Sequence, residues 1–301
     1  MTFRIGVVGA GRVGAVLAAR LRAAGHDVVA VAGESDASRA RAAALLPGVA
    51  TDKPTAVARS CDLLLLTVPD DMLGNVVTML AGAGALRPGQ RVVHTSGRHG
   101  VAVLAPAAAL GAEVLALHPA MTFTGAVEDI DRLPGTPFGV TSRPEHRPVA
   151  ETLVLEMGGE PFFVAEEDRR LYHAALVTGA NHLVTLVAEA ADLLRAAGVG
   201  DPARVLTPLL NAALDNGLRR GDRGLTGPVS RGDVGTVAEH LETLADRAPG
   251  SVDAYVAMAR RTTERALAAG RLKRHEGAPL LDLLSASGLG PGSLASERAE
   301  G

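Results

Sequence analysis

Short apolar runs alternate with helix-length segments from residue 1 to about residue 164, the pattern of a parallel sheet joined by crossover helices. The first run, from residue 4, ends in a glycine-rich turn, and a helical segment at 15–24 follows. Residues 28–32, 62–68, 91–94 and 114–117 read as the next strands. The run at 62–68 has leucine at four consecutive positions, 63–66, with no polar alternation among them, which marks a strand buried on both faces. Residues 136–141 and 161–164 read as further strands on either side of a helix at 148–157.

After residue 166 the period changes to that of helices. Residues 168–197 form one helical stretch without proline, closed by Gly198. Asp201 and Pro202 form an N-cap and first-turn proline for a helix reaching about residue 218. A polar, glycine-rich loop at 219–232 precedes helices at 233–248 and 251–269. The segment from 270 is rich in glycine, serine and proline, and its end at 288–301 is expected to be disordered. The division predicted is an α/β domain over 1–165, a helical domain over 166–286 that dimerises, and a tail over 287–301. The dimer is expected because the helices are alanine-rich and apolar over more than one face.

The turn after the first run reads Gly9-Ala10-Gly11-Arg12-Val13-Gly14. Gly9 permits the tight turn, Gly11 lets backbone approach a pyrophosphate, and Gly14 lets helix and strand pack closely. The helix N-terminus then offers free N–H groups to phosphate. A dinucleotide is the expected cofactor.

Composition narrows the class. At 301 residues the chain has room for two cores, yet aromatics are 2% and Trp is absent, so Ala, Val and Leu must build them. Only Lys53 and Lys273 among 30 basic residues are lysine. A net charge of −3 gives no case for nucleic acid. The single Cys61 reads as a small buried hydrophobe. Without a signal peptide or an uninterrupted apolar span, a soluble cytoplasmic protein is expected, with no membrane partner.

Three further motifs carry a resemblance: His94-Thr95-Ser96-Gly97, His118-Pro119-Ala120-Met121-Thr122-Phe123, and Thr226-Gly227-Pro228-Val229-Ser230-Arg231-Gly232-Asp233. With the glycine turn and the helical second half, the chain resembles the Rossmann-like and DUF2520 family. That family lies within the 6-phosphogluconate-dehydrogenase-like superfamily of β-hydroxyacid dehydrogenases, ketopantoate reductases and pyrroline-5-carboxylate reductases. The resemblance covers the chain to about residue 284. It implies a reductase frame with NADP as cofactor, NAD being the alternative.

The end of the second strand bears on that choice. Glu34 stands where related chains often carry arginine; Ser35, Arg39 and Arg41 follow. A carboxylate there suits ribose hydroxyls, and arginine or serine suits a 2′-phosphate. Val68 and Pro69, at a strand's carboxyl end, are expected to line the cofactor cleft. Ser96 matches the serine or threonine that contacts the substrate carboxylate in β-hydroxyacid dehydrogenases. His118 could polarise a carbonyl or donate a proton.

His173, Val177 and Asn181 share one helical face. Related dehydrogenases carry Lys-x-x-x-Asn there, so Val177 replaces the lysine acid while Asn181 is kept. The proton must come from His173, Tyr172, His118 or water. Ser230, Arg231 and Asp233 are candidate substrate contacts, Arg231 as a bidentate carboxylate ligand and Asp233 also as an N-cap. The site is expected between the domains. No ligand spacing supports a metal. The reading is an NAD(P)-dependent reductase of a small 2-oxo acid such as ketopantoate, using a carboxylate substrate as its partner. An imine reductase of the pyrroline-5-carboxylate type and a nucleotide-binding sensor are the alternatives.

Overall fold

The computed structural model describes residues 2–287. The expected tail at 287–301 therefore lies outside the described residues, apart from Ser287, which closes a helix. The chain divides into two compact units, Met1–Asn181 and His182–Gly301.

In the first unit, eight strands form one sheet. They are β1 (Arg4–Val8), β2 (Asp27–Ala32), β3 (Ala50–Thr51), β4 (Leu63–Leu66), β5 (Arg91–His94), β6 (Glu113–Pro119), β7 (Pro137–Ser142) and β8 (Glu160–Phe163). Their order is β3-β2-β1-β4-β5-β6-β7-β8. The helices between them are α1 (Arg12–Ala23), α2 (Asp36–Leu45), α3 (Pro54–Ser60), α4 (Asp70–Gly82), α5 (Ala105–Ala108), α6 (Glu128–Arg132) and α7 (Arg147–Glu156).

In β4 the side chains alternate between two cores. Leu63 and Leu65 pack with Ile5, Val7, Leu17 and Val93. Leu64 and Leu66 pack on the other face with Val8, Leu73 and Val92. An unbroken leucine run is what a strand needs when both faces are covered.

Two features depart from the sequence reading. The two-residue β3 is too short to show a period. In addition, β7 runs antiparallel to β6. The link between them holds the five-residue α6, and β7 returns beside β6 in the opposite direction.

The sheet ends at β8. Glu160 N donates to Thr136 O at 2.8 Å and Val164 N to Val140 O at 2.9 Å. By alternation, residues 161 and 163 turn their backbone nitrogens to the open edge. Pro161 occupies the first of these positions, where its missing N–H costs nothing.

Asp129 on α6 is fully buried. Its Oδ2 accepts from Thr124 N and Gly125 N, both at 2.7 Å, and from Thr124 Oγ1 at 3.1 Å. Gly125, at φ +82°, lies against Arg12 and Arg41, so this carboxylate holds the loop after β6 beside the start of α1. Asp129→Ala would strand buried N–H donors. It should destabilise the protein by about 2–4 kcal/mol, read as a lowered urea midpoint with an unchanged slope.

The long helix α8 (Arg169–Ala196) begins in the first unit and ends in the second. The expected boundary at 165/166 precedes it, but its first turn is anchored in the first unit through Arg169. The second unit continues with α9 (Pro202–Arg220), α10 (Pro228–Arg231), α11 (Val234–Arg247), α12 (Val252–Ala268) and α13 (Arg274–Ser287). Asp201 caps α9, as predicted, by accepting from Arg204 N at 3.2 Å. Val237, Leu241, Val256, Ala259, Leu280 and Leu284 form the core. The sequence reading assigned no helix beyond residue 269, because Gly277 and Pro279 hide the period of α13. Gly277 has a packing reason: a Cβ there would lie 2.9 Å from Leu267 Cδ2 of α12.

Candidate functional site

β1 lies between β2 and β4: the chain runs outward from β1 through β2 and β3, then crosses back to β4 on the other side. Such a switch point opens a crevice beyond the carboxyl ends of the strands. A cleft of about 730 Å³ occupies that place, lined by the turns after β1, β2 and β4.

The glycines divide the labour as their spacing suggests. Gly9 has φ +98°, and a Cβ on it would lie 2.7 Å from Thr67 C and 2.8 Å from Val68 N. A Cβ on Gly14 would overlap Thr67 Oγ1 and Gly9 O, and Thr67 Oγ1 donates to Gly9 O at 2.6 Å. Gly11 differs. A Cβ there would meet nothing nearer than Gly9 O at 3.8 Å. Protein packing does not require that glycine, so the space before α1 is free for a ligand. A pyrophosphate at the helix N-terminus fits this cradle.

Of the predicted cofactor residues, Gly9, Ala10, Gly11, Glu34, Ser35, Val68 and Pro69 line the cleft. The others are not among its lining residues, although Arg39 sits at the rim on the carbonyls of Gly33 and Glu34. Val13 packs against the core. Arg12 meets the Gly125 loop, and Gly14 meets Thr67. Arg39 Nη1 donates to Glu34 O at 2.6 Å and Gly33 O at 3.2 Å, and its Nη2 pairs with Asp36 at 2.5 Å. The sequence reading missed Asp52, Lys53 and Pro54, which line the same end. They follow β3, and the brevity of that strand is why they gave no signal.

A second group gathers at the ends of β5 and β6. His94 is fully buried; Ser96 N donates to its Nδ1 at 3.1 Å, and its Nε2 lies 2.8 Å from Gly100 O. This pairing suits only the neutral ring. Burial, with the Arg169 and His99 charges adding to it, pushes its pKa down to about 3 despite the opposing Gly100 carbonyl and Asp70. Ser96 is buried, and its Oγ accepts from His99 N at 3.1 Å. Glu166 accepts from Val101 N at 2.7 Å and Ala102 N at 3.1 Å, tying the entry to α8 to this loop.

His118 Nδ1 lies 2.8 Å from the Tyr172 hydroxyl, with the rings edge-on at 5.6 Å. A Cβ on Gly97 would stand 2.9 Å from His118 Nε2 and 2.8 Å from His173 Cδ2. Gly97 therefore makes room for both imidazoles. Burial, then the charges of Arg169 and His173, lower the His118 pKa to about 4, with Asp70 opposing. The ring is neutral near pH 7. Tyr172 is shifted upward by burial, partly offset by Arg169.

Arg169, which sequence reasoning did not select, is 1% exposed. Its Nε donates to Thr141 Oγ1 at 2.8 Å, and its Nη2 to Gly139 O at 3.0 Å and Ala116 O at 3.1 Å. Its Nη1 is buried without a partner. Its guanidinium carbon lies 5.8 Å from the Tyr172 ring centre. Among the described residues it forms no carboxylate ion pair. A charged residue at the start of an exposed-looking helix gives no sequence signal of burial.

Asn181 ends the first unit and Ser230, Arg231 and Asp233 lie in the second. Asn181 is exposed. Ser230 is buried and donates to Gly227 O at 3.1 Å. Arg231 is exposed at the end of α10. Asp233 caps α11, accepting from Thr236 N at 3.1 Å and Thr236 Oγ1 at 2.8 Å; these bonds lower its pKa. The loop expected at 219–232 instead contains the end of α9, a 3-10 turn and α10. Among the described residues no group of three or more His, Cys, Asp or Glu is placed to hold a metal.

Two family models match. A Rossmann-like domain covers residues 1–119, and a domain of unknown function, DUF2520, covers 136–262. The chain belongs to the Rossmann-like and DUF2520 proteins. In this chain the DUF2520 match starts inside the sheet, at β7, and reaches into α12. No curated protein matches the chain in sequence. Solved structures share its fold. A candidate NADP oxidoreductase from Bacteroides fragilis is 22% identical with a TM-score of 0.74, over 87% of this chain and 98% of that one. A variant imine reductase from Myxococcus stipitatus, in complex with NAD+, is 18% identical with a TM-score of 0.61, over 88% and 94%. A 3-hydroxyisobutyrate dehydrogenase from Mycobacterium tuberculosis is 20% identical with a TM-score of 0.53, over 95% and 94%.

Proposed function

We propose that this protein is a cytoplasmic NAD(P)-dependent oxidoreductase that reduces the carbonyl of a small 2-oxo acid. The observation that carries the reading is the cleft at the Gly9–Gly14 turn, with Gly11 facing open space at the N-terminus of α1. The oxidoreductase descriptions of the fold's solved relatives support it. When bound, the cofactor supplies hydride; the chain binds it, orients it and manages charge and protons. Lys53 is the cation lining the ribose end of the cleft, and Glu34 and Asp52 are its anions. Both cofactors therefore belong in the test. Arg231 serves as ligand to the substrate carboxylate. Ketopantoate is the first substrate to try.

Imine reduction is the second reading. Val177 replaces the lysine that donates to oxygen in related dehydrogenases, and an iminium arrives already protonated. NADH and NADPH oxidation should be followed with 2-oxo acids, β-hydroxy acids in reverse, and cyclic imines. Turnover of imines alone would favour the second reading, and absence of cofactor binding would sink both.

We also propose a homodimer. Leu209, Leu214 and Leu218 on α9 are 52–79% exposed, and Val184 on α8 is 68% exposed. Light scattering at micromolar concentration should give twice the monomer mass of 30.7 kDa; a monomer would refute it.

A further inference from the structure

With Val177 in place of lysine, the reduced oxygen still needs a proton, and the first unit brings a His–Tyr pair to the carboxyl end of β6. We propose that His118 and Tyr172 form a two-proton relay, in which His118 is the catalytic donor and Tyr172 recharges it beside the buried Arg169. The inference rests on the reductase reading.

The surroundings of the two ends of the pair point to the direction of transfer. Tyr172 Oη is 2.8 Å from His118 Nδ1. With the phenol donating, Nδ1 is the acceptor and the proton of the neutral ring sits on Nε2. Nε2 has no protein partner and is not among the buried unpartnered atoms. It therefore meets solvent beside Gly97, where the absent Cβ leaves the approach clear. The opposite end of the pair is closed. Tyr172 Oη stands against Gly139, 2.9 Å from where a Cβ would be. Arg169 donates to the carbonyl of that same glycine and lies under the tyrosine ring. A cation without a carboxylate partner is thus placed beside the group that would become negative.

The step balances. As the carbonyl carbon gains hydride, its π pair moves to oxygen. The Nε2–H bond breaks and the product O–H bond forms. The Tyr172 O–H bond breaks and Nδ1–H forms, so the imidazole stays neutral and changes tautomer. The charge rests on tyrosinate next to Arg169. After product leaves, Nε2 takes a proton from water and Nδ1 returns its own to the phenolate. Neutral imidazole suits this role, because it never has to carry positive charge near Arg169.

Two measurements test it. The first needs no substrate: nitrogen NMR of histidine-labelled protein, with His118 assigned by its loss in His118→Asn. The expected signal is a neutral Nε2–H tautomer at pH 6, changed in Tyr172→Phe. An Nδ1–H tautomer or a charged ring would overturn the relay. The second is the reduction rate in mixtures of light and heavy water. The wild type should show the curved dependence of two protons in flight. Tyr172→Phe should show a linear one, with kcat down at least about 100-fold, KM within about threefold and cofactor affinity unchanged. Retained kcat in a folded Tyr172→Phe protein would refute the relay while leaving the reductase reading intact. The expected tautomer in a protein that reduces no carbonyl or imine would instead overturn the reductase reading, and the relay's catalytic role with it.

Discussion

Gly11→Ala is expected to melt within about 2 °C of the wild type and to lose cofactor affinity at least about 10-fold, or ~1.4 kcal/mol. Gly9→Ala is expected to do the reverse and fail chiefly in folding. The two glycines are two positions apart, yet their surroundings differ. A methyl on Gly9 would meet Thr67 and Val68 backbone, at a φ of +98° that alanine rarely adopts. Strain and overlap together should cost about 2–6 kcal/mol. A methyl on Gly11 would meet only Gly9 O at 3.8 Å, so it intrudes on the ligand's space and not on the protein's. Thermal melting by circular dichroism and titration of NADH and NADPH fluorescence separate the two effects. A Gly11→Ala protein that binds both cofactors normally would remove the pyrophosphate from this turn.

Acid should weaken the fold well before its carboxylates titrate. His94 and His118 have native pKa values near 3 and 4 because burial disfavours their charged forms. Unfolded, both return to about 6.5. Between about pH 6.5 and 4 the unfolded chain therefore binds protons that the native chain refuses, so stability is full above 6.5 and falls as the pH drops. Each histidine contributes a slope of about 1.4 kcal/mol per pH unit in that window. Urea unfolding at pH 7, 6, 5 and 4.5 should show it, and His118→Asn should flatten the slope by about one proton. A stability that stays level from pH 6.5 to 4.5 would show that the rings are solvated.

The glycine turn, the leucine strand and the Asp201 cap were legible because each announces itself by spacing within a few residues. The place of the cleft, at a carboxyl end of the strands, follows from the alternation of strands and helices. What could not be read depends on contacts distant in sequence. Arg169 becomes a buried cation only because Ala116, Gly139 and Thr141 supply its oxygens from other strands. His118 and Tyr172, singled out separately as proton sources, become a pair only when α8 crosses the end of β6. Lys53 reaches the cleft through a strand of two residues. Asp233 shows the converse: its local pattern was enough to give the cap it makes.

Pro161 bears on what happens when these molecules are crowded together. A sheet with an open edge can recruit a strand from another molecule, and Phe162 and Phe163, both more than a third exposed, are the residues such growth favours. The proline withdraws one of the outward N–H groups on which a foreign strand would register. At the other end, β3 offers only two residues. Pro161→Val keeps the strand's apolar character and restores that donor. The edge that now terminates the sheet would then become one on which fibrils can be seeded.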